Sequence, residues 1–279
     1  MAKALGRNEN MLTIEEKESI VNDFLIGMEV RDLIIIYNTT KRAIPKILKE
    51  YGINTKRKNR YTLNENYFEI IDTEHKAYWL GFIAADGCIT NTNYFAIALK
   101  DEDILLQLKR DLEYTGDVYT PKQNLNTDYY RLNFSSKKLC DDLRTLGVHE
   151  CKSLSYNSLP NLDNALMPHF IRGYFDGDGS LYQGESFNYN KDRTEKHFNS
   201  YFRFNIIATE SFCSCLNNYL KDIIHYEGKI HPHSNSDMYY YNVYSKQAIL
   251  NLYNYLYTNS TVYLNRKYNI WQDFLQWAA

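Results

Sequence analysis

Asp86 and Asp178 each stand next to last in a nonapeptide with the same internal pattern. The first reads Trp79-Leu-Gly-Phe-Ile-Ala-Ala-Asp86-Gly87, and the second reads Ile171-Arg-Gly-Tyr-Phe-Asp-Gly-Asp178-Gly179. Both carry glycine at the third place (Gly81, Gly173), a small residue four later (Ala85, Gly177), then Asp and Gly. Small residues four apart share one helix face and let two backbones approach closely. The pattern therefore predicts that the two helices touch through Gly81, Ala85, Gly173 and Gly177, which brings Asp86 and Asp178 together at their C-terminal ends. Helix dipoles are negative there and the two carboxylates repel, so a divalent cation is the natural remedy. Hard ions such as Mg²⁺ take carboxylate and backbone carbonyl oxygens and keep waters for phosphate chemistry. Asp176 has no counterpart in the first nonapeptide, where Ala84 stands, so no catalytic role is assigned to it.

The elements that must hold these acids come in a repeat. A helix over Glu74 to Ala85 is followed by strand-like alternation over Ile89 to Leu99 and by helical spacing from Asp101 to Tyr114. Strands over Val118 to Pro121 and Tyr129 to Phe134 and a helix over Ser136 to Leu146 complete an αββαββα unit. The order recurs. It runs through a helix over Ala165 to Phe175, a strand near Leu181, a polar insertion to about Ser200 and a strand over Tyr201 to Ala208. A helix over Ser211 to Ile224, strands around Lys229 to His231 and Tyr239 to Tyr244, and a helix over Ser245 to Tyr257 follow. Two such halves packed through their leading helices leave a sheet surface free for a ligand.

Ahead of the repeats lie three short helical stretches: Thr13 to Phe24 with Thr13 and Glu16 in capping-box relation, Val30 to Tyr37, and Thr39 or Thr40 to Tyr51. They read as a helix-turn-helix whose third helix offers Lys41, Arg42 and Lys46 to a major groove. A small helical cap without DNA contact has the same pattern. Pro45 is out of place inside that helix and predicts a late start or a kink. The polar, basic run from Asn54 to Leu63, with Lys56, Arg57, Lys58 and Arg60, is either an arm along a phosphate backbone or an ordinary solvated linker. The expected domains are 1–53, a linker 54–72, a first repeat 73–160 and a second repeat 161–279.

The paired nonapeptides, their separation by one αββαββ unit, and the segment Pro168-His-Phe-Ile-Arg-Gly-Tyr-Phe-Asp-Gly-Asp-Gly resemble the two-motif LAGLIDADG homing endonucleases from Thr73 to the C-terminus. The resemblance implies an α+β fold with a saddle of two antiparallel sheets over double-stranded DNA. It also implies a monomer that makes a metal-dependent double-strand break at a long asymmetric site. In that reading Asp86 and Asp178 bind Mg²⁺ or Mn²⁺ and align water, and the carbonyls of Ala85 and Gly177 are further metal contacts. Family members also place a basic residue after each repeat's last helix. Here Gly147-Val-His-Glu-Cys-Lys152 and Tyr263-Leu-Asn-Arg-Lys267 hold those places, and either lysine is a charge stabiliser or a solvated residue at a helix boundary. Lys100, Arg131 and Arg203 are further candidates for DNA contact; Lys100 is weakened as an active-site lysine because the second half offers Thr209 near its place. A DNA-binding regulator without catalysis and an RNA maturase are the alternatives on the same scaffold.

Composition bounds these readings. The net charge of −2 does not mark a nucleic-acid binder, so the clustered bases must supply the local field. The 26 tyrosines suit half-exposed strands, or reflect codon bias. The cysteines, Cys88, Cys140, Cys151, Cys213 and Cys215, are odd in number and scattered, which fits a reducing compartment. Zinc held by Cys213, Cys215, His231 and His233 is disfavoured because residues two apart on a helix diverge. Trp79 and Trp271 read as core. No signal-like apolar stretch opens the chain and no run is long enough for a bilayer, so an intracellular protein, in cytoplasm, nucleoid or organelle matrix, with no obligate protein partner is expected. An intein is not expected, because Met1 is no splicing nucleophile and the last residues are Trp277, Ala278 and Ala279.

Overall fold

The computed structural model describes residues 6–53, 61–120, 129–189, 192 and 196–279. The chain forms two compact units, Met1–Arg60 and Tyr61–Ala279. Lys56, Arg57, Lys58 and Arg60 lie outside the described residues.

The smaller unit contains α1 (Ile14–Leu25), α2 (Val30–Ile36) and α3 (Ala43–Glu50). Both arms of the capping box form: the Thr13 hydroxyl accepts from the Glu16 amide, and the Glu16 carboxylate accepts from the Thr13 amide. Ile20, Val21, Leu33, Ile44, Ile47 and Leu48 make its core. The proline is accommodated by a late start. Because α3 begins at Ala43, Pro45 lies in the first turn, where an amide has no intrahelical acceptor to lose. Lys41 and Arg42 are exposed just before α3, whereas Lys46 is engaged by Glu9 at 2.5 Å.

In the larger unit, residues expected to continue the linker are already part of the fold. Phe68 is buried, and the Thr62 amide donates to the Thr115 hydroxyl at 2.7 Å. The first repeat comprises α4 (Glu74–Asp86), β1 (Cys88–Ile89), β2 (Tyr94–Leu99), α5 (Glu102–Asp111), β3 (Tyr130–Ser135) and α6 (Lys137–Thr145). Its antiparallel sheet runs β1-β2-β3. Of the strand expected over Val118 to Pro121, residues 118–120 make an isolated bridge of Tyr119 to Arg131, and Pro121 lies outside the described residues.

The second repeat comprises α7 (Met167–Asp178), β4 (Gly179–Tyr189), β5 (Lys196–Ala208), α8 (Glu210–Ile224), β6 (Lys229–Pro232), β7 (Tyr239–Val243) and α9 (Lys246–Tyr257), in a sheet ordered β4-β5-β7-β6. Two features depart from the expected repeat. The polar insertion is largely a long hairpin, with β4 and β5 paired from Gly179↔Ile206 to Tyr189↔Lys196. A further helix, α10 (Asn265–Ala278), follows α9, where the first repeat has only a single 3-10 turn at Lys152–Leu154. α10 buries Trp271 against Phe175 and Phe204, and Phe274 against Phe202.

α4 and α7 cross at the centre of this unit. A Cβ on Gly81 would overlap the Phe170 carbonyl, and one on Gly173 would overlap the Tyr78 carbonyl. The contact is reciprocal, so at both positions the missing side chain is what admits the partner's backbone. Further along, Gly177 faces Ala85, and a Cβ there would also reach Asp86. Arg172, fully buried on α7, ties the crossing to the chain after α9 by donating to Val262 O at 2.9 Å, Leu256 O at 2.5 Å and the Glu74 carboxylate at 2.7 Å.

Candidate active site

The close approach of α4 and α7 delivers their last residues to one cleft of about 440 Å³ whose lining includes Asp86, Asp178, Ala85, Lys152, Tyr156 and Tyr174. Burial pushes the Asp86 carboxyl upward, with Lys267 and Lys152 opposing the shift. Asp178 is pushed up to about 6, first by burial and then by the charge of Asp86. The two carboxylates thus repel one another across a partly enclosed cleft. Among the described residues neither acid has a hydrogen-bond or ion-pair partner; Asp86 is exposed to the cleft and Asp178 is half-buried.

The lysines sit on the helix ends themselves. Lys152 Nζ donates to Ala85 O at 2.5 Å. Lys267 Nζ donates to Phe175 O at 2.7 Å, Gly177 O at 3.1 Å and Gly179 O at 2.7 Å. Both are buried, and a cation at a helix C-terminus adds a donor to the last-turn carbonyls while countering the dipole; Phe175 O accepts from the Gly179 amide as well. Burial pulls Lys267 down to about 8 and also lowers Lys152, against the pull of the nearby acids. The lysines are therefore neither solvated boundary residues nor equivalent to each other. Lys267 commits all three N–H donors to α7 and the residue after it, while Lys152 gives one to α4 and lines the cleft.

The same two carbonyls, of Ala85 and Gly177, are the expected metal contacts, and each here accepts from a lysine. A carbonyl has two lone pairs, so one remains on each oxygen. Two mutually repelling carboxylates with carbonyl oxygens beside them form an all-oxygen donor set that suits a hard divalent ion. Among the described residues there is no group of three or more His, Cys, Asp or Glu side chains that could hold a metal. An ion here would depend on Asp86 and Asp178 and complete its shell with water or ligand oxygens.

Behind the cleft, Asp176 is fully buried and pushed up to about 6 by that burial. Its Oδ2 accepts from the Tyr78 hydroxyl and from the Leu264 amide, both at 2.8 Å, so it ties α4 to the residue that opens α10. Replacing Tyr78 with Phe removes one of these donors from a buried carboxylate. Urea unfolding of Tyr78→Phe is expected to show a loss of about 1–3 kcal/mol. An unchanged midpoint would refute the tether.

The other predicted residues are more scattered. Lys100 is exposed, with its ammonium 5.6 Å from the Tyr129 ring, and Thr209 caps α8 and donates to Tyr156 O at 3.0 Å. Arg131 and Arg203 lie on β3 and β5. Trp79 is buried, with its indole N–H on Asp111 at 2.6 Å. Cys213 is buried, its thiol directed at Tyr239 O.

No protein-family model matches the sequence, and no curated protein is significantly similar to it. Solved structures do match in fold. The meganuclease I-SmaMI bound to uncleavable DNA aligns over 72% of this chain and 89% of its own, at 17% identity and a TM-score of 0.51. The fold is that of the LAGLIDADG homing endonucleases. I-LtrWI, a LAGLIDADG homing endonuclease bound to target DNA, aligns over 77% of this chain and 90% of its own at 13% identity and a TM-score of 0.50. The LAGLIDADG meganuclease I-AabMI aligns over 72% and 89% at 17% identity and 0.50. In the LAGLIDADG fold as this chain builds it, the two motif helices are α4 and α7. No described helix is long and apolar enough to cross a membrane.

Proposed function

We propose that the protein is a site-specific endonuclease that hydrolyses both strands of double-stranded DNA with Mg²⁺ or Mn²⁺, acting as an intracellular monomer. The observation that carries this reading is the pair of carboxylates brought into one cleft where α4 and α7 end, Asp86 exposed and Asp178 half-buried, each raised in pKa, with an ammonium on each helix end. A fold alone assigns no reaction. This constellation supplies the groups that phosphodiester hydrolysis requires.

In this reading Asp86 and Asp178 hold the metal, which when bound neutralises phosphate charge and lowers the pKa of a water. Asp86 and Asp178 also orient that water, and Lys152, facing the cleft, stabilises charge on the transferring phosphate. Lys267 keeps the last turn of α7 in place. One polypeptide supplies both acids, so no second copy is required. The similar structures of I-SmaMI and I-LtrWI are bound to DNA, and I-SmaMI is also bound to an uncleaved target in the presence of calcium ions.

The decisive test is to incubate the intact protein and a randomised duplex library with Mg²⁺ and sequence the ends. Cuts in both strands at one long asymmetric site support the endonuclease. Tight binding at one site without cutting under any divalent ion would make the protein a DNA-binding regulator, and selective binding of structured RNA would make it a maturase.

The three-helix unit is read as an added DNA-binding surface through the exposed Lys41 and Arg42; Lys46, held by Glu9, is the weaker candidate. Removing one phosphate-binding cation should lower the slope of log affinity against log salt by about 1. Lys41→Ala/Arg42→Ala is therefore expected to reduce that slope by about 1–2 with cleavage at saturating enzyme retained. An unchanged slope would make the unit a helical cap.

A further inference from the structure

The two sheets each have one face against the helices and one away from them. On β5, Phe202, Phe204, Ile206 and Ala208 are buried in the core, so Arg203 projects from the opposite face. On β3, Leu132 and Phe134 are buried, and Arg131 likewise projects from the opposite face. Each arginine lies beside a tyrosine. The Arg203 guanidinium is 5.4 Å from the ring of Tyr182, its direct cross-strand neighbour. The Arg131 guanidinium is 6.0 Å from the ring of Tyr94, whose hydroxyl accepts from it at 3.3 Å.

In both arginines Nε is buried without a hydrogen-bond partner, and among the described residues neither is paired with a carboxylate. An arginine serving only to attract phosphates gains little from such an arrangement, because a freely moving charge does that work. A guanidinium whose Nε is buried and whose head is held beside a ring has little freedom to turn, and its remaining N–H donors project as a fork. That fork matches the O6 and N7 acceptors that guanine alone presents in the major groove.

We infer that Arg131 and Arg203 each read one guanine, one in either half of the bound duplex, with Tyr94 and Tyr182 holding their planes. The inference rests on the DNA-binding reading above and adds a base preference to it. Guanine enters as the chemistry of the fork requires, and the two halves carry the device on different strand pairings, β2 with β3 and β4 with β5.

The test is affinity selection of a randomised duplex library by the full-length protein in Ca²⁺, repeated with Arg131→Lys and Arg203→Lys. Lysine keeps the charge and loses the bidentate fork. The expected result is a motif with a guanine in each half for the intact protein. Each lysine variant loses guanine preference at a single position of a single half by about tenfold or more. Tyr182→Ala should weaken the preference that Arg203 sets, and Tyr182→Phe should retain it. Lysine variants that select the same motif as the intact protein would overturn the pair as base readers and make them phosphate contacts. An intact protein that selects no motif at all would overturn the DNA-binding reading itself, a different outcome from an unchanged motif.

Discussion

Asp178→Asn is expected to abolish cleavage and at the same time to raise the thermal midpoint of the metal-free protein. The first effect follows from the proposed metal site, which has two carboxylates and no third among the described residues. Losing one removes several kcal/mol of charge stabilisation, or roughly three orders of magnitude in rate. The second follows from the cost of the site. Asp178 is pushed up to about 6 by burial and by Asp86, so the folded protein holds this proton at pH values where the unfolded chain has released it. The penalty is absent below the ordinary carboxylate range, grows as pH rises from there to about 6, and is constant above it. At neutral pH it amounts to about 2–3 kcal/mol, and asparagine does not carry it. Scanning calorimetry in EDTA should show Asp178→Asn several degrees more stable than the intact protein at pH 8, with the gap closing towards pH 4. Asp86→Asn should behave in the same direction, since it also removes the charge that raises Asp178. Mg²⁺ should stabilise the intact protein and neither variant. A variant that still cuts, or one no more stable than the parent at pH 8, would remove the acid pair from the mechanism.

Much of the site was legible because glycine and aspartate registers are strict. Only a residue without a side chain fits opposite a backbone carbonyl, so Gly81 and Gly173 marked the crossing of α4 and α7, and the acids followed from the register. Thr13 with Glu16 marked the start of α1 for the same kind of reason, since the reciprocal cap requires that spacing. The losses have physical causes too. Much of the β4–β5 hairpin extends beyond the pairing with β7, which ends at Phe204↔Val243, and there even Phe187, Tyr189 and Phe198 are exposed, so no core-facing alternation marks its outer part. Val118 to Pro121 resembled a strand, yet among the described residues, which stop there at Thr120, it contributes only the Tyr119 bridge. α10 was readable from the spacing of Tyr268, Trp271, Phe274 and Leu275, but a repeat-based reading ends at α9 and has no place for it. What the lysines bond to could not be read at all. Their positions were visible, whereas their capping of Ala85 and Gly177 depends on the three-dimensional path of the chain after α6 and α9.

That path makes the two lysines unequal, and the inequality has a large expected effect on stability. Lys267 rides on a 14-residue helix whose first amide neighbour, Leu264, is held by Asp176, and it bonds three carbonyls of the α7 end. Lys152 rides on a three-residue turn entered through Cys151 at φ +55, and bonds one carbonyl. Methionine at either place keeps the apolar stem and removes the ammonium. At position 267 it removes the ammonium from three carbonyls, of which Phe175 O keeps only the Gly179 amide, and takes from buried Asp176 the cation that most lowers its pKa. Removing one side of such a buried arrangement costs about 3–5 kcal/mol, against about 1 kcal/mol for a single hydrogen bond at position 152. Metal-free urea unfolding should therefore separate Lys267→Met from Lys152→Met by at least about 2 kcal/mol, although the two occupy matching places in the repeats. Asp176→Asn should recover part of the loss in Lys267→Met, because the buried charge is no longer there to be left alone, and the double-mutant cycle should show coupling of about 1 kcal/mol or more. Cleavage should fall in both lysine variants. In Lys152→Met it should fall without a matching loss of stability, as expected of a group that faces the cleft. Equal destabilisation by the two substitutions would mean that three carbonyl bonds and a buried aspartate count for no more than one bond, and the division of roles between the lysines would have to be abandoned.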